Sequence, residues 1–257
     1  MVRRGGPGTV RTMVLDGTSS HSPAKGWEAE TEELARDNEA SMDRYFSWAG
    51  GGAERDWRRL LAEADRAEIP ARKFPGVAYR GEDLRAWGIG LARRGGAAWA
   101  TLKAAVRDGL AGDSSGFRPE GWTSSYHGLL PGVTECAEIP RPDSRKEMAA
   151  QYTRLAKLAP NTGAMGIGAV GGMLGCVGWP TKVTNPPQPL PANLPPLLGA
   201  GAWNESDATG RVIAQVPGSA TITQDGPGHT LHQYNACARA HIDRYLVDAV
   251  VPVKTNC

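Results

Sequence analysis

Between residues 27 and 159 of this chain, apolar positions recur mostly at three- and four-residue steps, the mark of helices buried on one face. Leu34, Met42, Tyr45 and Phe46, with Asn38 between them, give one helix over 27–49, and acids crowd its front, where the helix dipole favours them. Trp57, Leu60, Leu61 and Ala64 predict a second helix from Asp56 to Ala67, after which Pro70 and Pro75 break the pattern. A third runs from Asp83 to Arg93. The clearest is Ala97 to Leu110, with Trp99, Leu102, Val106 and Leu110 in line. A fifth spans Arg145 to Ala159 on Met148, Tyr152, Leu155 and Ala159, and Pro160 stops it.

Outside that block the pattern changes. Val10, Met13, Val14 and Leu15 predict a short strand within 9–17, closed by Asp16-Gly17. Residues 196–202, PLLGAGA, predict a second strand, 208–216 a short helix, 219–224 a third strand, and 236–249 a final helix with Ile242, Tyr245, Leu246 and Ala249 turned inward. The order is strand, a helical block of about 130 residues, then strand–helix–strand–helix: an α/β chain with few sheet strands and a large helical insertion of the lid type. Three parts are expected: 1–26 as strand and loop of the core, 27–160 as the helical lid, and 161–257 as the C-terminal core segment.

Composition narrows the partners. With Lys+Arg 29 against Asp+Glu 27 the net charge is +2, which gives no reason to expect a nucleic acid or an anionic membrane. At 40% hydrophobic and 22% charged the chain should fold. No apolar run reaches the ~20 residues a bilayer span needs, and the two arginines near the N-terminus are not followed by the apolar run of a signal peptide. The four cysteines (Cys136, Cys176, Cys237, Cys257) form no C-x-x-C pair and no zinc spacing. Their even count permits two disulfides or free buried thiols. No metal or cofactor is expected.

The candidate chemistry starts at His229. In Gly226-Pro227-Gly228-His229-Thr230 the glycines allow a sharp turn directly after the β-branched run Ala220–Thr223. That turn brings an imidazole to the carboxyl edge of a sheet, where α/β folds bind ligands, and an imidazole suits proton transfer. The acid that orients it should lie just past the preceding strand. Asn204 falls there, with Asp207 three residues on. An amide can orient but cannot supply charge, so Asp207 is the anionic candidate. One string, Gly112-Asp113-Ser114-Ser115-Gly116, matches G-x-S-x-G, but a helix precedes it where a nucleophile elbow needs a strand. Ser114 is therefore read as part of a helix-ending loop. The glycine-rich segment 163–178 lacks the Lys-Ser/Thr of a phosphate loop and reads as a buried connector. Trp57, Trp87 and Trp99 read as packing residues.

Several anchors together resemble the tripeptidyl-aminopeptidase-like α/β-hydrolases, a family of exported bacterial serine hydrolases. PGSATITQDGPGHT is similar to that family's strand and histidine turn, and NACARAHIDRYLVDAVVPVKTNC to its closing helix and tail. VTECAEIP, CVGWPTKVTNPP, the helix AAWATLKAAVRDGLAGD and the strand TVRTMVLDG also resemble family segments. The resemblance implies a partial α/β-hydrolase fold with His229 on the catalytic histidine. It puts Asn204 where the family usually carries its acid, in a D-x-x-T-P pattern that is absent here. It pairs Cys136 with Cys176 and Cys237 with Cys257, and it implies an extracytoplasmic protein. The G-x-S-x-G serine of the family's N-terminal half has no counterpart in these residues. The expected function is therefore hydrolysis of a small peptide or ester substrate, aminopeptidase-like, by a member or a shortened member of this family. The alternative is a non-catalytic remnant or interaction module, which either complements a separately encoded N-terminal half or does nothing enzymatic.

Overall fold

A computed structural model describes residues 7–18, 26–118, 136–138, 140–163, 176–184, 186–191, 193–203 and 205–257. The chain divides into two compact units, one of residues 1–24 with 187–257 and one of residues 25–186.

The first unit is built on a parallel sheet. Its strands are β1 (Val14–Asp16), β4 (Leu198–Gly201), β5 (Ala220–Thr223) and β6 (Thr255–Asn256), in the spatial order β1-β4-β5-β6. All three pairings are parallel, with Asp16 opposite Ala200 and Gly201 opposite Thr223. Parallel strands in register bring the carboxyl ends of β1, β4 and β5 to one rim.

Both faces of this sheet are covered. Side chains alternate along a strand. Leu198, Ala200 and Ile222, with Val14 beside them, pack against Leu231, Ala238, Ile242 and Tyr245 of helices α7 (Leu231–Tyr234) and α8 (Ala236–Asp248). On the other face Met13 and Leu15 pack with Leu197, Ile213 and Val216, next to α6 (Ser206–Ile213). The central strand β4 reads Leu-Gly-Ala-Gly because α6 lies almost on its backbone. A Cβ on Gly199 would come within 2.8 Å of Ile213 and Thr209, and one on Gly201 within 2.8 Å of the Ser206 backbone. Tyr245 ties α8 to the sheet: its hydroxyl donates to the Pro196 carbonyl at 2.8 Å and accepts from the Met13 N–H at 3.1 Å.

The second unit is helical. It contains α1 (Trp27–Ala49), α2 (Ala53–Arg66), α3 (Gly81–Ala92), α4 (Ala97–Leu110) and α5 (Arg145–Leu158), with a two-residue antiparallel pair β2 (Ile69–Pro70) and β3 (Ala78–Tyr79) between α2 and α3. Its main core gathers Met42, Tyr45, Trp57, Leu60, Leu84, Leu102 and Phe117. Trp57 is fully buried and donates its indole N–H to the Asn161 carbonyl at 3.0 Å. The Glu39 carboxylate then accepts from Asn161 Nδ2 at 2.7 Å and from the Thr162 hydroxyl at 3.0 Å, which anchors the chain after α5 onto α1.

The predicted elements are found, with several differences. The one-turn helix α7 precedes α8, and Leu246 and Ala249, expected to turn inward, are exposed because α8 buries only the stripe of Ala238, Ile242 and Tyr245. Four strands are paired rather than three, because the Cys237–Cys257 disulfide holds the tail as β6 beside β5. The β2–β3 pair lies where Pro70 and Pro75 suggested only a break. The boundary of the C-terminal core falls at residue 187, not 161, since Asn161 and Thr162 are bound to α1 and Cys176 is bridged to Cys136 inside the helical unit. Most of the segment 163–178, with its G-x-G-x-x-G string, lies outside the described residues.

Candidate functional site

The turn after β5 is built to hold one conformation. Gln224 continues the strand ladder by donating its N–H to the Gly201 carbonyl at 3.1 Å, and its side chain donates to the Pro227 carbonyl at 2.6 Å. Asn235 Nδ2 holds the same Gln224 side chain from the start of α8 at 2.7 Å. Gly228 is needed for space, because a Cβ there would lie 2.9 Å from Gln224 Nε2 and 3.2 Å from Ala202 Cβ. Trp203, on the loop leaving β4, donates its backbone N–H to Gly226 and its indole N–H to Asp225 at 2.7 Å.

His229 emerges from this turn at the carboxyl rim of the sheet. Its Nδ1 stands 2.5 Å from Glu205 Oε1. The imidazole side chain is 65% exposed and the Glu205 side chain only 15%. Among the described residues nothing hydrogen-bonds Nε2, so that nitrogen faces outward while the carboxylate fixes the other. The second Glu205 oxygen is buried and meets no partner among the described residues.

The third strand end completes the site. Gly17, directly after β1, has φ +70°, and a Cβ there would sit 2.7 Å from Glu205 Oε2 and 2.9 Å from His229 Nδ1. A glycine is therefore required by both backbone conformation and space. Asp16 beside it accepts from the Leu231 N–H at 2.9 Å and the His232 N–H at 2.8 Å. It caps the first turn of α7 and fixes the chain just past His229.

The sequence candidates separate clearly. His229 lies on the turn after β5, at the carboxyl rim of the sheet. Glu205 replaces Asp207 as the acid against it. The loop from β4 turns into α6 at Ser206, so Asp207 is carried onto the helix's first turn, where it is exposed and lines a groove with Arg211 and Lys254. Asn204 lies outside the described residues. Glu205 was visible as the fourth residue after β4, between Asn204 and Asp207, but choosing it over Asp207 needs the turn geometry. Gly17 and Asp16 were read only as a strand terminator.

Ser114 is excluded as a nucleophile by its surroundings. It is fully buried, its hydroxyl donates to the Ile69 carbonyl at 2.8 Å, and its N–H donates to Pro70. Ser115 is buried too, and its hydroxyl donates to Asp113. His232 pairs with Asp243 at 2.8 Å on the surface. Cys237, His241 and Cys257 bring their ligand atoms within 4.8 Å of one another, but the two sulfurs are bonded to each other and offer no thiolate. His21 and His127 lie outside the described residues.

An imidazole held at one nitrogen by a carboxylate, with the other nitrogen open at the carboxyl end of a parallel sheet, can take and return a proton. No curated protein matches the chain. The family model described as TAP-like protein matches residues 164–257, the stretch that carries β4, Glu205, β5, His229 and the closing disulfide. Over residues 164–257 the chain is thus similar to the TAP-like α/β-hydrolase family.

Proposed function

We propose that this chain provides the histidine–acid half of a serine-hydrolase relay, with His229 as general base and Glu205 as the group that orients it. The observation that carries this is the 2.5 Å contact between His229 Nδ1 and Glu205 Oε1, with Nε2 left open. The reaction is acyl transfer to water from a peptide N-terminus or an ester. A carboxylate on Nδ1 keeps the proton there and stabilises the imidazolium that forms when Nε2 takes the hydroxyl proton. The attacking hydroxyl comes from a G-x-S-x-G serine outside these 257 residues. The disulfides and the TAP-like match suit an extracytoplasmic location.

A fluorophosphonate probe tests this directly. The isolated chain should take no label. Co-expressed with a family segment bearing G-x-S-x-G, it should support labelling of that partner's serine. His229→Ala should slow the labelling roughly 10²–10⁴-fold, and Glu205→Gln should slow it less. Label on Ser114 of the isolated chain, or labelling indifferent to His229→Ala, would refute the assignment.

A second reading, a non-catalytic interaction module, draws on a different observation. Among the described residues no hydroxyl bonds the His229 imidazole, and the outer edge of β1 pairs with no described strand. In this reading the chain binds a partner and the partner's serine stays unlabelled.

A further inference from the structure

The helical unit carries a cavity of about 680 Å³ that the relay does not use. It lies between the C-terminal end of α1, the start of α2 and one face of α4. Tyr45, Trp48, Gly51, Asp56, Lys103 and Arg107 are among its walls. A volume of this size suits a small organic molecule.

Three features of the walls select the ligand. Trp48 is 49% exposed, an unusual state for a tryptophan beside a core that buries Tyr45 and Trp57. It offers a flat apolar surface inside the cavity. Tyr45 is 1% exposed, yet no described group hydrogen-bonds its hydroxyl. The residue lines the cavity, where a ligand atom could meet the hydroxyl. Burial, with Asp56 nearby, pushes this phenol up to about 12, so it stays a donor. Lys103 supplies the charge. Its Nζ donates to the Ala49 carbonyl at the end of α1 at 3.0 Å and stands 5.9 Å from the centre of the Trp48 ring. Its other N–H donors meet no carboxylate among the described residues. The other charged wall residues are each paired: Arg107 with Asp108, Arg59 with Glu63, and Asp56 with Arg55.

We propose that this cavity binds a small amphiphilic carboxylate, its aromatic or aliphatic body against Trp48, its anionic end on Lys103, and the Tyr45 hydroxyl as an inner donor. Charge complementarity sets the choice over a neutral ligand. Among the described lining residues Lys103 is the cation without an acidic partner, and in a partly enclosed cavity a carboxylate–ammonium hydrogen bond gains strength.

Calorimetry on the full chain provides the test, with naphthalene-2-carboxylate and its neutral isostere naphthalene-2-carboxamide as probes. The carboxylate should bind in the micromolar to submillimolar range, and the amide roughly tenfold or more weakly. Lys103→Met should bring the carboxylate down to the level of the amide. Lys103 is exposed, so the variant should keep its fold, which far-UV circular dichroism checks. Gly51→Leu should block both probes, because a Cβ at Gly51 meets nothing within 4 Å and the side chain would enter the cavity. No heat with the carboxylate at about 2 mM, near the weak limit of specific binding, would overturn the proposal. So would equal affinity for acid and amide, or a Lys103→Met variant that binds the acid as before.

Discussion

Gly17 decides the geometry of the histidine–acid pair without a side chain of its own. The Glu205 carboxylate and the His229 ring occupy the space a Cβ would need, and the +70° φ adds a backbone cost for any L side chain. Gly17→Ala should therefore destabilise the sheet unit by about 1–3 kcal/mol and push the carboxylate off Nδ1. Two measurements check this: the urea midpoint, and the downfield proton resonance expected for an imidazole N–H bonded to a carboxylate. If the resonance and the midpoint both match the parent protein, the close packing described around Gly17 is mistaken. The same crowding shows why Glu205 was hard to read from the chain. Asn204, Glu205 and Asp207 are all near enough in sequence to serve. Only the tight entry into α6, with the Ser206 backbone pressed against Gly201, aims Glu205 at the ring.

Elements set the limit of what the pattern could reveal. The helices α1 to α5 were legible because each buries one stripe, and a stripe repeats over three or more turns. The strands β4 and β5 were legible from short runs bounded by Gly and Pro. β6 and the β2–β3 pair were not, because two residues have no period, and their pairing comes from a disulfide and from neighbouring turns. Asp113 is one such neighbour. Its Oδ1 accepts from the Ser115 hydroxyl, the Ser115 N–H and the Arg72 N–H, joining the end of α4 to the turn after β2. These bonds, the Ser115 hydroxyl first, hold the carboxyl below the ordinary aspartate range. A carboxylate lowered in the folded state lends stability that is fully present above its unfolded pKa of about 3.9 and is lost as pH falls through the folded value. Asp113→Asn should then cost stability at neutral pH, and the gap between parent and variant should close as pH drops below about 4. Denaturation curves across that range measure the gap. A gap that stays constant as the pH is lowered through the acid range until the parent's own carboxyl is protonated would show that the charge on Asp113 contributes nothing.

At the scale of the whole molecule, each unit has its own core and its own disulfide. Cys136–Cys176 lies in the helical unit and Cys237–Cys257 in the sheet unit. The second bridge bears on the proposed relay, because it joins the start of α8 to β6, and β6 touches β5 through only two residue pairs. So short a strand has little pairing energy of its own against the entropy of ordering the tail. The bridge spans 20 positions, and closing such a loop in the unfolded chain corresponds to about 3 kcal/mol in the chain-entropy account. Replacing both Cys237 and Cys257 with Ala should lower the stability of the sheet unit by roughly that amount. It should also free the Cys257 position, whose N–H now donates to the Thr223 carbonyl at 2.7 Å. Hydrogen exchange locates the effect. Protection should be lost first at residue 257 and along 250–256, while the amides of α1 to α5 exchange as before. Thr223 ends the strand that leads to His229, so the same variant should slow the partner-dependent labelling if β6 steadies that strand end. If residues 255–257 stay protected after the double replacement, the tail is held by strand pairing alone and the bridge has no part in placing the histidine.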